Sequence, residues 1–190
     1  MRRSRFCLLL KDSRGSQIVE FAVALPLLIV FIVGIFDFGN AFDVKQKLNN
    51  AVRDAARLGS SLPASDLTSA TTPASISSIR SVLDAYLTAS QLNDCGLGTV
   101  GASSSAGLTW TYTATGNGCP AGSSLTLTIQ RGFSFSTTVN GNPVDVLSTR
   151  VMLSYPFQWH FSNVIQLLVP GANYAGVINI TTDAVVPNLD

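Results

Sequence analysis

Residues 18–36 read IVEFAVALPLLIVFIVGIF, and this run decides the fold. At 1.5 Å per residue, a helix of this length spans about 28 Å, close to the roughly 30 Å hydrocarbon core of a bilayer. A core helix of a soluble domain would carry a polar stripe at this length. None is present, so the run reads as a single membrane span. Two residues do not suit a plain anchor. Glu20 puts a carboxylate near the start of the run, where lipid makes it expensive. Pro26 removes one helical hydrogen bond and can kink the helix. Before the run, Arg2, Arg3, Arg5, Lys11 and Arg14 stand against Asp12 alone, so residues 1–15 carry +4. The remaining seven Lys/Arg stand against ten Asp/Glu, giving −3. Lys and Arg are retained on the cytoplasmic side of a membrane. The asymmetry therefore predicts a cytoplasmic N-terminus and an extracytoplasmic body. A weakly acidic body also lacks the clustered basic face that nucleic-acid binding needs.

Beyond the span the helical period continues. Val44, Leu48, Ala51, Ala55 and Leu58 recur at spacings of three and four, the buried stripe of an amphipathic helix. Asp43 and Lys47 make an i,i+4 pair on its other side. Gly59 followed by Ser60-Ser61-Leu62-Pro63 is a stop signal. One helix is expected from about Ser16 to about Leu58, its first half in lipid and its second half packed on a body.

The body begins with a second helix, expected from Pro73 at its first position to Ala89, with Ile76, Ile79, Leu83, Tyr86 and Leu87 on one face. The period then changes to two. Leu108, Trp110 and Tyr112 alternate with threonines, and so do Leu125, Leu127 and Ile129, which marks half-buried strands. Asn140-Gly141-Asn142-Pro143 reads as a hairpin turn between 133–139 and 144–157. Leu147, Val151, Leu153, Tyr155 and Phe157 are expected to face the core. A short helix over 163–169 and a last strand over 176–185 complete an α+β domain, with helices on one face of an antiparallel sheet. Cys95 and Cys119 lie in this body, and two cysteines in an exported domain most often pair. The alternative is two buried free thiols. A disulfide would close a loop of about 25 residues and contribute about 3 kcal/mol.

The sequence offers little for catalysis. His160 is the sole histidine, so there is no Ser/His/Asp triad, and a Cys/His pair would have to use a disulfide candidate. No Walker loop or dinucleotide glycine pattern occurs. Gly96-Leu97-Gly98 and Gly116-Asn117-Gly118 read as turns. Trp110, Tyr112 and Trp159 read as packing residues in preference to a binding patch. Neither a cofactor nor a metal is expected, and an anchored hydrolase is the weakest of the functional classes.

Arg14-Gly15-Ser16-Gln17-Ile18-Val19-Glu20-Phe21 resembles the processing site of type IV pilins. In that family a prepilin peptidase cuts after the glycine, and a glutamate is the fifth residue of the mature chain. The resemblance implies a cut between Gly15 and Ser16, with Glu20 fifth. Cleavage creates an α-amino group at Ser16, which a neighbouring subunit's carboxylate can neutralise. Either charge left alone in a low-dielectric site is expensive. A conventional secretory signal is the rival, but its best small-residue cut, near Gly39-Asn40-Ala41, is poor.

The wider pattern is similar to the TadE-like family, minor pilins or pseudopilins of the tight-adherence (Flp) pilus machine. It comprises Gly15, Glu20-Phe21-Ala22, Leu25-Pro26, Asp37-Phe38-Gly39 and the alanine-rich stretch from Ala51 to Gly59. A second likeness lies in Val151 to Phe157, Leu167-Leu168 and Ile178 to Thr182, while the tail from Ala184 to Asp190 departs from the family pattern. Residues 60–140 resemble it poorly. The implied organisation is a cytoplasmic leader over 1–15, an N-terminal helix over 16–59 and an extracytoplasmic domain over 60–190. The implied role is structural: assembly of a pilus from the bacterial inner membrane, with a prepilin peptidase and other pilins as partners and no nucleic acid. The alternative is an unprocessed single-span envelope protein whose β-rich domain binds a ligand.

Overall fold

The computed structural model describes residues 13–68, 71–105, 108–161 and 176–189. Its elements are α1 (Ser13–Ser61), α2 (Ala74–Ala89), a 3-10 turn (Leu97–Thr99), β1 (Ser103–Ser105), β2 (Thr109–Ala114), β3 (Leu125–Val139), β4 (Asn142–Gln158) and β5 (Val177–Pro187). The strands form one antiparallel sheet in the order β1-β2-β3-β4-β5. With the two helices this is the expected α+β fold. The short helix expected over 163–169 lies outside the described residues.

The chain divides into two compact units. Among the described residues, the first holds 13–39 with His160 and Phe161, and the second holds 40–159 with 176–189. In the first unit α1 continues through Pro26. Ile18, Phe21, Val23, Leu27, Phe31 and Ile35 are all exposed. This helix is long and apolar enough to cross a membrane: its most apolar 18-residue window has a mean hydropathy of 2.8 and is 6 % buried. Its backbone groups bond within the helix, the condition that lipid imposes.

In the second unit the same helix becomes amphipathic. Val44, Leu48, Ala51, Val52, Ala55 and Ala56 are buried, and Leu58 is half-buried. Asn49 Oδ1 accepts the Thr182 hydroxyl and the Thr181 carbonyl accepts Lys45 Nζ, so this half of α1 lies along β5. On its solvent side Lys47 Nζ is 2.9 Å from Asp43 Oδ2. α2 covers the neighbouring strands with Ile76, Ile79, Leu83 and Leu87. The sheet contributes Trp110, Tyr112, Leu125, Leu127, Ile129, Val151, Leu153, Tyr155 and Phe157 to this core. In register, Trp110 pairs with Ile129 and Ile129 with Val151, which stacks one buried residue per strand. The opposite face carries hydroxyls such as Thr128 and Ser154, and an Arg150–Asp183 pair at 3.0 Å. Trp159 is buried, with its ring edge-on to Phe157 at 5.2 Å.

Several local expectations change. Gly59 is a packing residue within α1 instead of its stop. A Cβ there would lie 2.7 Å from Thr149 Cγ2 and 3.0 Å from Ile79 Cδ1. Pro73 is the residue just before α2, and Asp66 supplies the missing cap from a distance. Its Oδ2 accepts Ser75 N–H at 2.8 Å, and its Oδ1 accepts the Ser75 hydroxyl. Leu108 precedes β2 with φ 55° and is exposed. The two strand segments expected over 125–129 and 133–139 are one strand with a bulge between Gln130 and Phe133. The bulge moves Phe133 to the outer face, where the Arg150 guanidinium stacks 5.1 Å from its ring. Leu147 is 50 % exposed. Its alternation with Val151 is right, but the core-side cover ends near Gly59 and Thr149, before the hairpin tip. That tip turns at Asn140 and Gly141, both at positive φ, as a two-residue type I′ turn requires.

Arg131, beside the bulge, is 2 % exposed. Its Nη1 donates to the Gly59 carbonyl, and its Nη2 donates to the Leu62 carbonyl at 2.7 Å. Burial holds its guanidinium below the usual arginine range, opposed by Asp66. Leu189 N–H donates to the Ser60 carbonyl at 3.0 Å, while the Ser60 and Ser61 hydroxyls donate to Arg57 and Leu58. The last carbonyls of α1 are thus satisfied from three separate parts of the chain. A disulfide joins Cys95, after α2, to Cys119, after β2, with Cα atoms 4.9 Å apart. Nearby, burial raises the Asp84 carboxyl above the usual range. A hydrogen bond and the charge of Asp94 act the same way, against Arg80 and the Gly98 N–H.

Two predictions follow from these packings. Arg131→Met keeps bulk but leaves the Leu62 carbonyl without its donor and the Gly59 carbonyl with the Leu62 N–H at 3.3 Å alone, and is expected to lower stability by about 1–3 kcal/mol in urea unfolding of the body. Parent-like stability would contradict the cap. Asp84 binds its proton more readily folded than unfolded. Its charge therefore destabilises the fold above its raised pKa, and the penalty disappears as pH falls to the ordinary carboxylate range near 4. Asp84→Asn is expected to raise the melting temperature at pH 7, with the gap to the parent closing by pH 4. A gap that is constant with pH would contradict the assignment.

Candidate functional site

The residues singled out for processing and assembly lie together at the start of α1. The Gly15–Ser16 peptide falls within the first turn of the helix, which begins at Ser13. Gly15 is exposed, and a Cβ built on it meets nothing within 4 Å among the described residues. Gln17, Ile18, Val19 and Glu20 are exposed as well. One helical turn and a little more separates Ser16 from Glu20, so within a subunit the two backbone positions share a face. Glu20 makes no ion pair among the described residues. The segment thus offers a small residue, a peptide beside it, and one carboxylate on an otherwise apolar helix.

Cys95 and Cys119, the other pair singled out, are joined in the second unit and serve structure there. The Asn93 carboxamide buttresses the link: its Oδ1 accepts Cys95 N–H at 2.7 Å, and its Nδ2 donates to the Asn117 carbonyl at 2.8 Å. Trp110, Tyr112 and Trp159 are buried and belong to the packing. Burial raises the Tyr112 and Tyr155 phenols above their ordinary range. Among the described residues, no group of three or more His, Cys, Asp or Glu is placed to hold a metal ion.

One residue of the N-terminal pattern gains a role that sequence reasoning did not assign. Asp37 is 1 % exposed. Its Oδ1 accepts His160 N–H at 3.2 Å and its Oδ2 accepts Phe161 N–H at 3.3 Å. A carboxylate directly after an apolar run was the available signal, because such a group must find donors. Its partners, 123 and 124 residues away, could not be read from the sequence.

Neither the curated proteins nor the solved structures contain a match to the chain. A family model does match, that of the TadE-like proteins, over residues 15–57. The matched segment begins at Gly15, contains Glu20, Pro26 and Asp37, and ends within the last turns of α1. Over residues 15–57, its N-terminal helix, the chain is similar to the TadE-like proteins.

Proposed function

We propose that the chain is a structural minor pilin or pseudopilin of a tight-adherence pilus, acting by assembly and not by catalysis. The observation that carries this is the start of α1. An exposed Gly15 and an exposed Glu20 head the one described helix that is apolar enough to span a membrane, inside the TadE-like match. In this reading the basic residues of 1–15 stay in the cytoplasm, α1 spans the inner membrane, and the body lies in the periplasm. A prepilin peptidase removes residues 1–15. The new Ser16 amine of one subunit then meets the Glu20 carboxylate of its neighbour among bundled apolar helices. Outside water each charge requires the other, so the pairing fixes the axial stagger. Head-to-tail repetition of one such contact propagates a filament.

Two substitutions divide the steps. A Cβ at residue 15 meets nothing within 4 Å among the described residues, and alanine suits a helix better than glycine by about 1 kcal/mol. Any loss of processing must then arise in the peptidase's own pocket. N-terminal sequencing and intact mass in the native host are expected to give Ser16 for the parent and an uncut chain for Gly15→Ala. A parent retaining Met1 to Gly15 would favour an unprocessed single-span protein whose body is a binding module, and normal maturation of Gly15→Ala would overturn the assignment of the cut to a prepilin peptidase. Glu20→Gln keeps the size and removes the charge. It is expected to be cut and inserted normally, yet to lose co-purification with partner pilins, at a cost of about 3–5 kcal/mol per buried pair. Normal piliation would place Glu20 at the headgroup level, with no part in assembly.

A further inference from the structure

Asp37 follows the apolar run directly, so a span of about 28 Å puts it at the far hydrocarbon boundary. A free carboxylate there would draw water and headgroups around itself. Here it is 1 % exposed, with each oxygen taken by a backbone N–H, from His160 and from Phe161. Two consecutive amides on one carboxylate fix the 160–161 backbone against α1 at a single level. Phe36 and Phe38 leave the helix about 100° to either side of Asp37 and are 66 % and 56 % exposed. Phe161, on the clamped segment, is 37 % exposed. Two exposed phenylalanines thus flank one satisfied charge on the helix, and a third follows on the segment that the charge holds. Phenylalanines on a helix surface with no unpaired charge between them suit the boundary between headgroups and acyl chains.

We propose that the Asp37 clamp builds a lipid-interface seat, in which Phe36, Phe38 and Phe161 enter the outer-leaflet boundary of a phospholipid bilayer and fix the depth of the helix. This rests on the membrane reading of α1. The occupant is phospholipid. Phe36 and Phe38 flank the end of the apolar run, and the clamp buries and hydrogen-bonds the Asp37 carboxylate that would otherwise oppose insertion. Asp37 is a positioning residue in this seat, since it holds Phe161 at the level of Phe36 and Phe38.

The test uses the full chain in nanodiscs of phosphatidylcholine and phosphatidylglycerol, in a Cys7→Ser background with the Cys95–Cys119 disulfide intact. Single nitroxides are placed in turn at Phe38→Cys and Phe161→Cys. Leu28→Cys serves as the mid-span reference and the exposed Ser81→Cys as the water reference. Collision with oxygen, which partitions into lipid, is compared with collision with a water-soluble nickel chelate. Both seat labels are expected between the two references. Asp37→Ala should shift the Phe161 label to the Ser81 value while leaving Leu28 in lipid, and Asp37→Asn, which keeps one acceptor, should shift it part of the way. A Phe161 label at the Ser81 value in the parent, with Leu28 in lipid, overturns the seat without recourse to any Asp37 variant. An unmoved Phe161 label in Asp37→Ala overturns the clamp. A Leu28 label in water overturns the membrane reading itself, and the seat with it.

Discussion

A helix that ends inside a protein must find donors for its last carbonyls, and this constraint organises the body. At the end of α1 the donors are the Arg131 guanidinium, the Leu189 N–H and the hydroxyls of Ser60 and Ser61. A cation at a helix C-terminus also meets the negative end of the helix dipole. Arg131 reaches the Gly59 and Leu62 carbonyls from the edge of a β-bulge, so the bulge and the helix end require each other. Around this point the packing has no slack. Thr149 and Ile79 close on Gly59, and the Thr149 hydroxyl donates to Asn188 Oδ1 at 2.7 Å. Residues 59–62, 131, 149 and 188–189 are thereby tied into one knot of short polar contacts.

α1 presents two kinds of surface on one backbone geometry. In the first unit its side chains over 18–28 are exposed on all sides and apolar apart from Glu20, and its amides are satisfied internally. In the second unit small buried residues, Ala51, Ala55, Ala56 and Gly59, let the helix approach the sheet and α2, while Arg53, Asp54 and Arg57 stay in water. The polar interruptions in the helix are resolved differently. Asp37 is buried and receives two amide donors. Glu20 remains exposed. A carboxylate left exposed on an apolar helix is the one whose partner must come from elsewhere, which is why the proposed assembly contact rests on Glu20.

A fold of two helices on an antiparallel sheet can serve many purposes, so function has to be argued from a site. The family match coincides with the apolar and amphipathic helix and ends at residue 57. The body adds a disulfide-tied, hydroxyl-rich sheet whose outer face carries the Arg150–Asp183 pair. The division of labour is between a helix whose surface suits lipid and other helices, and a domain whose own core is complete.

Much of this was legible in the sequence because it depends on local period and composition. The run over 18–36, the stripe from Val44 to Ala55, the alternation through Val151 to Phe157 and the Asn140-Gly141 turn each announce an element by spacing alone. Gly15, Ser16 and Glu20 are legible as a motif for the same reason, since their meaning lies in eight consecutive residues. Leu147 shows the limit: alternation gives the face of a strand, but not how far the helices above it extend. Arg131, Asp37 and Gly59 show a deeper one. The sequence by itself determined where the two helices and strands β2 to β5 run, and that the first helix is apolar enough to cross a membrane. Only the tertiary structure decided that an arginine in a strand would close a helix 72 residues away, that a carboxylate after the span would hold the 160–161 backbone, and that a glycine was needed for closeness and not for ending. Each of these follows from satisfying a buried polar group or filling a gap between elements, and those demands exist only once the elements have been brought together.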